Sequence, residues 1–299
     1  ARDAWEEPGG GGAVAAVQLA KLAGDCTFFT ALGDDALGHR AHDALTAMGL
    51  RIEATFRKQP QRRAFTHIDD AGERTITVLG ERMAPLAEDL LDRDQLVEYD
   101  AVYFTAGDVD ALRLARHART LVATSRIVPL LRAAGVALDA VVGSANDPAE
   151  RFNDGDVDPP PRLVVRTAGS HGGTYERAGA ARLEYPATPL PGPVVDAYGC
   201  GDAFAGAFLG VLDTCQGAVC AALVVLRLEH RQQVGAAGRV AVPVDAHIDA
   251  VRAGGIQARL RDLVDRLVGD GHRDAGTPSD LDRLVVGAVP AGLGVAHVG

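Results

Sequence analysis

Between residues 100 and 142 short apolar runs alternate with longer helical ones. Residues 100–105, 121–124 and 138–142 each read as a buried strand, and residues 109–119, rich in Ala, Leu and Arg, read as a helix between the first two. Strands that alternate with helices of this length predict an α/β fold with a mainly parallel central sheet flanked by helices. Ligands of such a sheet gather at the carboxyl ends of its strands. The same grammar appears earlier. Residues 13–24 read as a helix whose polar positions Gln18 and Lys21 share one face, with Gly24 suited to its C-terminal cap. Residues 26–32 read as a buried strand, followed by an acidic turn and a helix that runs to Met48 and stops at Gly49. Residues 65–69 and 74–78, around a turn at Asp70, Ala71, Gly72 and Glu73, read as a hairpin.

Composition narrows the function classes. The 299 residues are 47% hydrophobic and 23% charged, an ordinary globular balance for one main domain. A net charge of −10 speaks against a nucleic-acid or anionic-membrane partner, because either needs a basic surface; a small-molecule partner is expected instead. Cys26, Cys200, Cys215 and Cys220 form neither a CxxC pair nor a disulfide framework, so a reduced, cytoplasmic location is expected. The first residues are acidic and lack the apolar core of a signal peptide, and no run approaches the roughly 18 apolar residues of a membrane span.

The chemistry concentrates in residues 196–208. Gly199, Cys200 and Gly201 stand directly before Asp202, and a small, apolar run follows that reads as the first turns of a buried helix. A helix N-terminus behind a glycine turn attracts anions through its N–H groups and its dipole. A carboxylate there has two readings: a helix cap, or a base that takes a proton from an alcohol attacking a bound phosphate.

Asp196, Gly199, Cys200, Gly201, Asp202, Ala203, Phe204, Ala207 and Phe208 resemble, in type and spacing, the second signature of the ribokinase-like (PfkB) carbohydrate kinases. The resemblance implies that Asp202 is the general base and that Gly199, Cys200 and Gly201 form an anion hole for the transferred phosphoryl group. It extends over roughly residues 9–210. The glycines at 9–12 before a small-residue helix resemble the family's first signature, implying substrate contacts at Gly11 and Gly12. Gly33, Asp34, Asp35 and Gly38 resemble an element beside the sugar pocket, implying a substrate contact at Asp35, for which a helix-cap role is an equal reading. The hairpin region, residues 52–83, resembles a β-sheet lid that covers the sugar and, in relatives, pairs two copies as a homodimer. Asp147 and Glu150 match positions that arrange Mg²⁺ through water; an N-capped helix start with Pro148 in its first turn is an equal reading. Thr167, Gly169 and Gly172 resemble a nucleotide-contacting segment, with His171 read as a loop residue.

A P-loop kinase is excluded, since no Gly-x-x-x-x-Gly-Lys-[Ser/Thr] occurs and the only lysines are Lys21 and Lys58. The expectation is therefore a ribokinase-like α/β kinase with ATP and Mg²⁺ as cofactors. It moves a phosphoryl group to a hydroxyl of a sugar or nucleoside. The alternative is a catalytically inactive sugar- or nucleotide-binding sensor, or a truncated family member. Residues 1–225 form the expected kinase domain and residues 226–299 a divergent C-terminal region. Residues 256–267 carry an amphipathic pattern, loose chain is expected beyond Gly269, and the family's first strand is missing or reduced to the segment around Asp3.

Overall fold

A computed structural model describes residues 3–68, 74–89, 94–187, 198–212, 284–287 and 292–298. In chain order the elements are β1 (Asp3–Gly9), α1 (Gly11–Ala23), β2 (Cys26–Gly33), α2 (Ala36–Ala47), β3 (Arg51–Arg57), β4 (Arg63–Ile68), β5 (Arg74–Leu79) and β6 (Ala101–Phe104). They continue with α3 (Val109–Ala115), β7 (Thr120–Thr124), α4 (Val128–Ala134), β8 (Ala140–Ser144), β9 (Leu163–Thr167), β10 (Gly173–Arg177), β11 (Leu183–Tyr185), α5 (Cys200–Leu212), β12 (Leu284–Gly287) and β13 (Gly292–Val298).

Among the described residues the large sheet has the order β11-β10-β9-β8-β7-β6-β12-β2-β3. It is parallel from β3 to β9, and β10 and β11 close one edge as antiparallel neighbours. Its strands alternate side by side as the pleat requires. Ala101, Tyr103, Val122, Ala140, Val142, Leu163 and Val165 belong to one core with the residues of α1 and α5. Val102, Phe104, Leu121, Ala123, Val141 and Val164 belong to the other, with residues of α3 and α4. Both faces are thus covered, and that explains why each of these strands reads as a continuous apolar run rather than an alternating one.

Helices α1 and α5 lie together on the first face. Small side chains bring them close: a Cβ added at Gly206 would strike the carbonyl of Ala15. Ala15, Ala16 and Leu19 of α1 and Ala203, Phe204, Ala207, Phe208 and Leu209 of α5 are buried around this crossing. Burying side chains as large as Leu19 and Phe208 contributes about 1.5–3 kcal/mol each.

A second, smaller sheet has the order β1-β13-β4-β5. The hairpin read from residues 65–78 is its β4 and β5; the turn between them lies outside the described residues. Its other half comes from the two ends of the chain, β1 and β13, paired antiparallel from Asp3–Val298 to Gly9–Gly292. Strand β3, within the span expected to form the lid, pairs instead with β2 as the edge of the large sheet.

The strongest departure from the sequence reading lies in the tail. Loose chain was the expectation beyond Gly269, yet β12 inserts between β2 and β6, parallel to both, and β13 joins the small sheet. Residues 284–287 are apolar or glycine throughout, which suits a strand with neighbours on both edges. The amphipathic pattern at 256–267 lies outside the described residues.

Candidate active site

The carboxyl ends of the parallel strands converge on one place. Strand β7 ends at Thr124, and the turn after it carries Arg126; β8 ends at Ser144, and the turn after it carries Asp147 and Glu150. The N-termini of α1 and α5 face this region. Asp202 lies in the first turn of α5, and a Cβ at Gly11, the first residue of α1, would collide with its carboxylate. Gly11 is therefore glycine because the carboxylate occupies the volume a side chain needs. Gly199, immediately before α5, has φ +76°, a backbone that L side chains rarely adopt. Its carbonyl accepts the Ala203 N–H at 2.8 Å, which closes the first helical turn. Helix geometry directs the N–H groups of that turn outward along the axis.

Arg126 is the residue that the sequence reading missed. Its Nε donates to Glu150 Oε1 at 2.6 Å, its Nη2 lies 2.5 Å from the same oxygen, and its Nη1 stands 3.6 Å from Asp202 Oδ1. One guanidinium thus bridges two carboxylates. The only sequence signal for it is a cation two residues past the end of a parallel strand, where ligand-binding groups are expected. Burial works to lower the pKa of Arg126, but Asp202 and Glu150 outweigh it and raise it.

The charge balance around Asp202 leans the other way. Burial raises its pKa and Glu150 adds to the rise, while Arg126 opposes both. Its carboxyl therefore holds a proton more tightly than an ordinary aspartate. Tyr103 of β6 lies beneath, fully buried, with its phenol pushed far up, first by burial and then by the charge of Asp202. Tyr103 is held as a neutral floor.

The remaining residues singled out from sequence fall in two groups. Gly12 is buried in the first turn of α1 beside Gly11. Thr167 ends β9 directly opposite Ser144, whose N–H donates to Glu150 Oε2 at 2.7 Å, and Gly169 and Gly172 flank the short turn that follows. These belong to the same end of the sheet. His171 lies in that turn and is exposed. Asp35, by contrast, is consumed by structure. Its Oδ1 accepts the N–H groups of Leu37 and Gly38, capping α2, and its Oδ2 accepts the Gln61 N–H at 2.9 Å. Asp147 likewise caps the turn Pro148–Glu150 by accepting the Ala149 N–H.

Glu150 does not suit direct metal ligation as it stands, because both of its oxygens already accept hydrogen bonds, from Arg126 and from Ser144. Among the described residues no group of three His, Cys, Asp or Glu is placed to hold a metal ion. Contact of Asp147 or Glu150 with Mg²⁺ through water is the arrangement this donor set allows. Among the described residues no helix is long and apolar enough to cross a membrane.

A model of the pfkB family carbohydrate kinases matches residues 1–142. Over these residues the chain is similar to the PfkB family. The matched stretch includes Gly11, Gly12, Asp35 and Arg126, whereas Asp147, Glu150, Thr167 and the junction at Asp202 lie beyond it. The chain is similar in structure to an adenosine kinase from Sinorhizobium meliloti, at 22% identity and TM-score 0.64, over 82% of this chain and 83% of that one. A ribokinase from Thermotoga maritima gives 19% identity and TM-score 0.60, over 81% and 86% of the two chains. An adenosine kinase from Anopheles gambiae gives 17% and 0.57, over 79% and 81%. At these identities the likeness establishes the fold, which is ribokinase-like: a mainly parallel sheet flanked by helices, with a small separate sheet. No curated protein sequence matches the chain.

Proposed function

We propose that this protein transfers the γ-phosphoryl group of MgATP to a hydroxyl of a sugar- or nucleoside-like acceptor, with Asp202 as general base. The observation that carries the reading is the setting of Asp202. It stands in the first turn of α5, against the glycine start of α1, desolvated and with its pKa raised. A carboxylate used only as a surface cap needs none of this. The match of residues 1–142 to the pfkB family carbohydrate kinases supports phosphoryl transfer as the reaction class.

In this proposal Asp202 takes the proton of the acceptor hydroxyl as that oxygen attacks, a role worth on the order of 100- to 10,000-fold in rate. The backbone N–H groups of Gly199, Cys200 and Gly201 stabilise charge on the moving group, aided by the dipole of α5. Arg126 keeps Asp202 aimed and lowers the cost of its ionisation. Thr167, Gly169 and Gly172 line the nucleotide side, and Gly11 and Gly12 the acceptor side. Asp147 and Glu150 reach the magnesium of the nucleotide through water. The catalytic unit comprises residues 1–225 together with β12 and β13, which complete its two sheets.

The test is ADP release from MgATP across a panel of sugars, sugar acids, sugar phosphates and nucleosides, run beside Asp202→Asn. Acceptor-dependent turnover that disappears in the variant is the expected result. A folded protein that binds these ligands and releases no ADP with any acceptor replaces the enzyme with a sensor.

A further inference from the structure

The approach to Asp202 from the small sheet carries more positive charge than the proposed chemistry uses. Arg62 immediately precedes β4, and Arg82 follows β5 after a short turn. The register of β4 and β5 sets Arg63 opposite Leu79, and a Cβ at Gly80 would lie 3.4 Å from the Arg62 Cα, so the two arginines leave the same end of the hairpin. Arg62 is fixed in place by its neighbour. The buried Gln61 donates its N–H to Asp35 Oδ2 at 2.9 Å and accepts the Gly33 N–H on its Oε1 at 2.8 Å, which ties this segment to the carboxyl end of β2.

Neither Arg62 nor Arg82 has an ion pair among the described residues, and the Nε of Arg62 is buried without any hydrogen-bond partner. A buried donor left unmade costs about 1–3 kcal/mol, so a ligand that accepts from it is favoured. Arg82 is near enough to both Arg62 and Arg126 that their like charges add to partial desolvation in lowering its pKa. Arg62 and Arg126 thus both lie within electrostatic reach of Arg82, in a protein whose net charge is −10. Of the three, only Arg126 is paired among the described residues, with Asp202 and Glu150.

Strand order says which substrate they face. Arg62 is tied to the end of β2, five strand positions from β9, which leads into the Thr167–Gly172 loop. At roughly 4.8 Å per strand that separation is about 24 Å, with Arg126 and Asp202 between the two. The unpaired arginines lie on the side away from the proposed nucleotide loop.

We propose that the acceptor is itself an anion, a sugar carrying a phosphate or a carboxylate, and that Arg62 and Arg82 hold its charged group while Asp202 deprotonates its hydroxyl. This rests on the kinase reading above and narrows it from sugars and nucleosides at large to acidic ones. Guanidinium groups bind both anions through charge-assisted, forked hydrogen bonds.

The experiment compares glucose, gluconate and glucose 6-phosphate in two assays on the full chain: calorimetric binding without nucleotide, and ADP release with MgATP. Binding of an anionic sugar at least about 10- to 100-fold tighter than glucose is expected, and Arg82→Gln weakens it by a similar factor while leaving the KM for ATP unchanged. Arg82 is exposed, so this variant keeps its fold, and Arg82→Lys restores part of the affinity. Preference between gluconate and glucose 6-phosphate tells carboxylate from phosphate. If glucose binds as well as its anionic forms, or Arg82→Gln raises the KM for ATP instead, the anionic-acceptor site is overturned. If an anionic sugar binds in an Arg82-dependent way but no acceptor releases ADP, the site stands and the kinase reading falls.

Discussion

Asp202 holds its proton tightly because burial penalises the charged form more than Arg126 favours it. Two outcomes follow at the scale of this residue. A base works only when deprotonated, so kcat/KM should rise with pH through a midpoint above the ordinary aspartate value of about 3.9. Replacing Arg126 by Gln removes the influence that lowers the Asp202 pKa, so the acid limb of the pH–rate profile should move further up; a downward move would contradict the electrostatic assignment. The second outcome concerns stability. A carboxyl whose folded pKa is raised contributes stability that is complete below its unfolded value of about 3.9 and is lost as pH rises through the folded value. Above that folded value the contribution is gone. Asp202→Asn should therefore melt no lower than the parent at neutral pH while its turnover falls by about 100- to 10,000-fold, which thermal melts and ADP release check together. The aspartate and its glycine setting are legible in the chain as a motif. Arg126 is not, because nothing local to it distinguishes a site cation from a surface one until β7 and α5 are packed together.

At the scale of elements, the site depends on how closely α1 and α5 approach. Gly206 permits the contact with the Ala15 backbone, and the same approach sets Gly11 against the Asp202 carboxylate. Gly206→Ala forces the helices apart or strains them, at about 1–3 kcal/mol, measurable by urea unfolding. Gly11→Ala intrudes first on the carboxylate, the end of a side chain that can shift, so the expectation is loss of turnover with a nearly unchanged unfolding midpoint. If Gly11→Ala retained full turnover, Asp202 would not be the reacting group. Most elements were readable from period and punctuation: β2 and α2 lie where an apolar run, an acidic turn and a glycine stop place them. The roles of the acidic turns were not. Asp35 and Asp147 are sequence candidates for ligand contacts that also cap α2 and the Pro148–Glu150 turn, and the position of Gln61 against Gly33 shows what else holds Asp35 there.

For the molecule as a whole, the last strands are the decisive feature. Strand β12 is paired on both sides, with β2 and with β6, near the middle of the large sheet. A chain ending at residue 283 leaves two strand edges without their ladder partner. Such a chain should lose cooperative unfolding, and a peptide of residues 284–299 should restore part of the signal in a thermal melt; an unchanged melt without the tail would show that β12 contributes nothing. By itself the sequence determined the fold class, much of the helix–strand alternation between residues 13 and 142 and the glycine-flanked carboxylate, since each follows from local period, turn chemistry and a short motif. Tertiary structure alone decided that β12 enters the sheet between strands far away in the chain, that Arg126 joins Asp202 to Glu150, and that Arg82 comes within electrostatic reach of Arg62 and Arg126. Pairings across such separations depend on which edges and charges remain unsatisfied once the rest has packed, and no local pattern records that.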